Sequence, residues 1–238
     1  HNMFNYLLIF LLLVHGSIHS IGFSKSLGIG NIKLLKNPIS RTSGLIWLSV
    51  SLLFFTSAVT YFLQIEYWWV IGLFGVIISQ TLILKNWYDA KFGTIANFFI
   101  LVIILIGFFS WNFRSCYLDD VNENLSNNSS AKNVITEEDL LELPHVVQKY
   151  LRYTNVVNRQ GICNFKVIFN GEMRGKDKKW FTFKSEQHNF TDDPARLFFM
   201  NAIMRNLPFA GYHRYQNGNA SMTIKLLSQF PIIDLRND

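Results

Sequence analysis

Hydrophobic positions along the chain fall into two regimes. Residues 3–23, 44–65, 67–84 and 94–113 are four long apolar runs. Each is close to the ~20 residues that a spanning helix needs. The second and third runs meet at Gln64, Ile65 and Glu66, which predicts a tight helical hairpin. From Ile162 the period changes to two: Phe165, Val167 and Phe169 alternate with polar neighbours. Segments 180–190, 195–204, 212–216 and 222–226 continue this pattern, and Asn217-Gly218 is a two-residue hairpin signal. Ahead of the strands, Thr136 and Asp139 have capping-box spacing, and Pro144 suits the first turn of a helix reaching Tyr153. Val146, Val147, Tyr150 and Leu151 give that helix an apolar stripe. The polar stretch 119–133 reads as a flexible linker.

The predicted fold class is a four-span membrane α-helical bundle followed by an α+β extracytoplasmic domain. Its sheet is antiparallel and is expected to curve over a helix in the manner of a half-barrel. The predicted divisions are 1–113 for the transmembrane domain, 114–134 for the linker and 135–238 for the outer domain.

Composition sharpens this division. Only 16% of residues are charged, against about 25% in soluble domains. The first 113 residues hold eight charges: Lys25, Lys33, Lys36, Arg41, Glu66, Lys85, Asp89 and Lys91. Six of the eight are basic, and they lie in the loops after the first and third runs. Positive loops stay cytoplasmic. Both termini and the whole second half are therefore expected outside, in a multi-pass protein of the cell membrane. Neither half has the dense basic run of a nucleic-acid binder, so nucleic acid is not an expected partner. The neutral start argues against a cleaved signal peptide.

Candidate chemistry lies inside the apolar half. His15 and His19 share one face of the first run, one helical turn apart. With alternating helix directions, Ser79, Gln80 and Asn97 reach the same depth, and Asp89 lies in the loop beside them. Polar groups within spans usually face the bundle interior. The expected cluster is therefore His15, His19, Gln80, Asn97 and Asp89, either joining helices by hydrogen bonds or forming a site. His15 and His19 are weak metal candidates, because two histidines make an incomplete zinc set. No particular cofactor is implied. In the outer half, Trp180, Phe181, Phe183, Phe198, Phe199 and Phe209 are expected either as an aromatic core or as the lining of an apolar cavity. His188 and His213, both on strands, are candidates for a shared site. No nucleophile elbow, phosphate loop, dinucleotide fingerprint or paired-cysteine motif occurs.

The segments VHGSIHSIGF, NPISRTSGLIWL and WYDAKFGTIANFFILVIILIGF, together with LPHVVQKYLRYTNVV, KKWFTFKSEQHNF and GYHRYQNGNASMTIKLLSQFPIID, resemble a family of uncharacterised bacterial membrane proteins. That family is a domain of unknown function. The resemblance implies four membrane helices, a β-rich outer domain continuing beyond Asp238, and no catalytic residues. Two functional readings follow. One is a membrane-anchored binding or scaffold module whose outer domain takes a lipid, another hydrophobic ligand, an envelope component or a partner protein, with the lipid bilayer as a standing partner. The other is a membrane enzyme or a redox or metal protein using the His15/His19 face. Without a catalytic motif, the sequence leans away from the enzyme.

Overall fold

The computed structural model describes residues 3–29, 32, 35–127, 134–204 and 207–237. The chain divides into two compact units, His1–Trp111 and Asn112–Asp238.

The first unit is helical. Its elements are α1 (Met3–Ser26), α2 (Arg41–Phe62), α3 (Trp68–Lys85), the single turn α4 (Trp87–Ala90) and the first part of α5 (Gly93–Asn127). α1, α2, α3 and α5 are each long and apolar enough to cross a membrane. Ser40 caps α2, its hydroxyl accepting the Ser43 amide at 3.2 Å. The hairpin between α2 and α3 closes with Gln64 at φ 58°. Helices associate in lipid through close approach of small residues, and α1 and α2 do so at two points. A Cβ added at Gly22 would overlap the Trp47 ring, and one at Gly44 would overlap the Ser26 hydroxyl. Leu8, Leu12, Val50, Phe54, Val76, Ile100 and Ile104 fill the space between the four long helices.

The second unit corrects the expected linker. Helix α5 continues through Asn127, so the stretch read as flexible from residue 114 is ordered helix up to that point. Residues 128–133 of that linker lie outside the described residues. The physical reason is a buried stripe: Phe113, Tyr117 and Val121 recur every four residues and pack on the sheet with Leu197, Phe199 and Ala210. Tyr117 is fully buried.

The sheet is a six-stranded antiparallel meander in the order β1 to β6. Its strands are β1 (Asn164–Met173), β2 (Phe181–Phe190), β3 (Ala195–Met204), β4 (Leu207–Gln216), β5 (Asn219–Leu226) and β6 (Phe230–Arg236). It is open, because β1 and β6 do not pair. Asn217 and Gly218 form the expected turn, with φ of 54° and 76°. β6 and the start of β4 escape the sequence pattern because each carries a proline, Pro231 and Pro208. Proline is tolerated on edge strands and at strand starts. A bulge between Ile224 and Lys225 adjusts the register of β5 to the edge strand β6.

The Thr136–Asp139 capping contacts form, with the Thr136 amide donating to Asp139 Oδ2 at 2.7 Å, but they enclose only a 3₁₀ turn, Glu138–Leu140. Helix α6 (His145–Tyr153) buries none of its residues, so its apolar stripe does not pack under the sheet. The covering helix comes from α5 instead.

Candidate functional site

Two arrangements in the structure carry chemistry, one in each unit. In the helical unit, the 3.6-residue repeat turns His15 and His19 inward, and both are 2% exposed. Their rings meet edge to face, with centroids 4.9 Å apart. His15 Nε2 donates to Asn97 Oδ1 at 2.8 Å. That carbonyl oxygen can only accept, so Nε2 carries the proton. The Ser79 hydroxyl donates to the same oxygen at 3.1 Å. With its one proton directed at Asn97, the 2.8 Å contact between His19 Nε2 and Ser79 Oγ is assigned to His19 as donor. The network continues outward: Asn97 Nδ2 donates to Gln80 Oε1 at 3.0 Å, and Gln80 Nε2 donates to Thr94 Oγ1 at 3.1 Å.

The structure thus joins His15, His19, Ser79 and Asn97 directly, with Gln80 one bond further out. Asp89 bonds neither histidine. Its Oδ2 accepts the Lys36 backbone amide at 2.6 Å. It lies instead on the wall of a cavity of about 360 Å³ that His15, His19, Leu35, Trp47, Ile83 and Ala96 also line. Trp47 was not singled out from the sequence. Among the described residues, no third His, Cys, Asp or Glu joins the two histidines as a metal set.

In the sheet unit, strand alternation and register sort the side chains onto two faces. One face carries Leu197, Phe199, Ala210 and Tyr212 and is covered by α5. Polar contacts pin this cover. Arg114 donates to Glu186 at 2.6 Å, and the Tyr212 hydroxyl donates to Asp120 at 2.5 Å. The Tyr117 hydroxyl and His188 Nδ1 are 2.7 Å apart. Burial and the neighbouring Lys166 charge hold His188 below its ordinary pKa, against the opposing pull of Glu186. Burial alone would raise the Glu186 carboxyl, but the Lys166 ammonium bonded to it and the Arg114 guanidinium bring it below its ordinary value.

The residues of the opposite face form a cluster of their own, apart from the one that α5 joins. That face is apolar across the sheet. Phe181, Phe183, Phe198 and Ile224 pack around Met200, Ala202 and Phe209. Phe165, Phe169, Ile233 and Leu235 extend the face toward both edges and are exposed. A depression of about 300 Å³ runs along it, with Gln187, Arg196 and His213 joining the apolar lining. Residues 133–238 match a family of unknown function, DUF6544.

The matched segment holds the 3₁₀ turn, α6 and all six described strands, while the α5 cover and the apolar helices precede it. The expected resemblance to a domain of unknown function holds over these residues. No curated protein and no solved structure matches the chain.

Of the aromatic residues expected together, Phe181, Phe183, Phe198 and Phe209 share the open face of the sheet. Phe199 lies on the covered face, stacked on Tyr117 with centroids 5.4 Å apart. Trp180 is exposed, under the Arg174 guanidinium at 4.8 Å. His188 and His213 do not share a site. The first pairs with Leu197 on the covered face, and the second with Phe198 on the open one. Strand register, which the sequence does not state, separates them.

Proposed function

We propose that this is a multi-pass membrane protein whose sheet binds an amphipathic, anionic lipid-like ligand along its open face. The observation that supports this reading is a polarity gradient along that face. Phe181, Phe183 and Phe209 lie at one end, and Met200 and Ile224 in the middle. Gln187 and His213 follow in one cross-strand row with Phe198 and Met222, and Arg196 lies in the next row out. An acyl chain matches the apolar stretch and an acidic head group matches Arg196. This is the usual make-up of a ligand site: mostly apolar, with a few polar groups fixing orientation. Burial and the Arg196 charge lower the His213 pKa, which leaves Arg196 as the fixed cation.

The same reading puts the sheet on the extracytoplasmic side. The basic loops 24–43 and 85–93 would then lie in the cytoplasm. The bond from the Lys36 amide to Asp89 supports a common side for both loops.

Binding of pyrene-dodecanoate to the full chain in amphipol tests the proposal. Saturable binding is expected. Arg196→Glu should weaken it at least about tenfold, as for a lost hydrogen bond to a charged group. Met200→Asp should abolish it. Equal affinity in wild type and Arg196→Glu, or no saturable binding, would remove the proposal.

A further inference from the structure

The cavity of the helical unit has two features that helix packing alone does not use. His19 Nδ1 and Trp47 Nε1 are buried, and neither has a hydrogen-bond partner among the described residues. Both residues line the cavity, with ring centroids 5.0 Å apart. A buried polar atom left unpaired is costly, and in native structures it calls for a partner.

The two orphans ask for different things. Indole nitrogen only donates. The proton pattern through Ser79 and Asn97 puts the His19 hydrogen on Nε2, so Nδ1 carries a bare lone pair and only accepts. One chemical group meets both demands. A hydroxyl donates its proton to His19 Nδ1 while its oxygen accepts from Trp47 Nε1. A carbonyl, an ether or a cation would serve one atom at most.

The remaining lining selects the rest of the molecule. Ile18, Ile21, Leu35, Ile83, Phe92 and Ala96 are apolar. Ile18 and Phe92 are exposed, so the cavity mouth reaches the outer surface of the helical unit, where lipid would lie. A volume of about 360 Å³ falls at the small end of ligand pockets.

We infer that this cavity binds a small, lipid-soluble molecule bearing a hydroxyl group, of the class of alkylphenols and other ring alcohols. The hydroxyl is held between His19 and Trp47, and the apolar body occupies the space toward Ala96 and Phe92. This site is separate from the ligand proposed for the sheet and does not depend on it.

The test uses the full chain in phosphatidylcholine nanodiscs and two probes, 4-hexylphenol and its methyl ether 4-hexylanisole. The ether keeps an acceptor and loses the donor. Thermal stabilisation by the phenol should reach half-saturation at a concentration about tenfold lower than by the ether, one hydrogen bond's worth of discrimination. Trp47→Phe and His19→Phe should each erase that preference, and Ala96→Phe should block both probes. Where a variant does not fold, the unsubstituted protein still decides. With 15N-labelled histidine, the signal of a bare imidazole nitrogen should shift on adding the phenol and stay in place with the ether. Arg196→Glu should leave these responses intact. Equal potency of the two probes on the wild type, an unmoved nitrogen signal, or loss of the response in Arg196→Glu would overturn the inference.

Discussion

Ser79 holds a disproportionate share of the helical unit's polar order. Its hydroxyl touches both histidines and Asn97, at 3.3, 2.8 and 3.1 Å. Replacing it with alanine leaves His19 Nε2–H buried without an acceptor. Interhelical hydrogen bonds in membranes contribute roughly 0.6 kcal/mol on average, and an orphaned buried donor costs about 1–3 kcal/mol. Ser79→Ala is therefore expected to lower stability by about 1–2 kcal/mol, read by thermal unfolding of the purified chain. A loss within ~0.5 kcal/mol, typical of an ordinary surface substitution, would contradict it. In the other unit, His188 makes a prediction about acid. Its folded pKa lies below the ordinary 6.5. A depressed histidine favours folding above that value, and the contribution is lost as pH falls, because the unfolded chain takes up the proton first. Stability of the sheet unit should decline as pH drops below 6.5, and His188→Gln should flatten the decline. Tyrosine fluorescence melts across pH would show an unchanged slope if His188 has no part in it.

At the scale of elements, the apolar helices were legible because length and charge depletion suffice to mark them. The strands from Phe181 to Met204 were legible because alternation survives there without proline. What the sequence hid was the role of α5 beyond Trp111. Asp119, Asp120, Asn122, Glu123 and Asn124 look like solvated linker. Asp119, Asn122 and Glu123 are exposed, but Asp120 accepts the Tyr212 hydroxyl and Asn124 Oδ1 accepts Gln216 Nε2 at 3.4 Å. The stripe of Phe113, Tyr117 and Val121 was the available signal, masked by the density of polar residues between and after its members. Conversely, α6 has a clear apolar stripe and buries nothing, because amphipathicity says that a face needs a partner without naming one. In the helical unit, depth along each helix could be read from the sequence, which is why His15, His19 and Asn97 were expected together. Azimuth could not, and that is why Trp47 was missed. Tyr117→Ala tests the weight of the α5 cover. Removing a fully buried aromatic ring should cost about 3–5 kcal/mol. Hydrogen exchange should show faster opening of β3 and β4, while amides of α2 and α3 stay protected.

For the whole molecule, the orientation is the prediction with the widest reach. In a background with Cys116 and Cys163 replaced by serine, Lys36→Cys should resist a membrane-impermeant maleimide on intact cells. Tyr153→Cys should react, since that side chain is 84% exposed. The reverse pattern would invert the arrangement. The position of the sheet's cover in the chain also has a practical outcome for anyone producing the outer part alone. The family match begins at residue 133, yet the side chains that shield Leu197, Phe199 and Ala210 belong to residues 113–121. A fragment cut at the family boundary bares that second apolar surface while the first is already open. A two-sided sticky sheet should precipitate or form inclusion bodies. Starting twenty-one residues earlier, at Asn112, keeps the helical cover attached. That longer fragment should run as a discrete species on gel filtration.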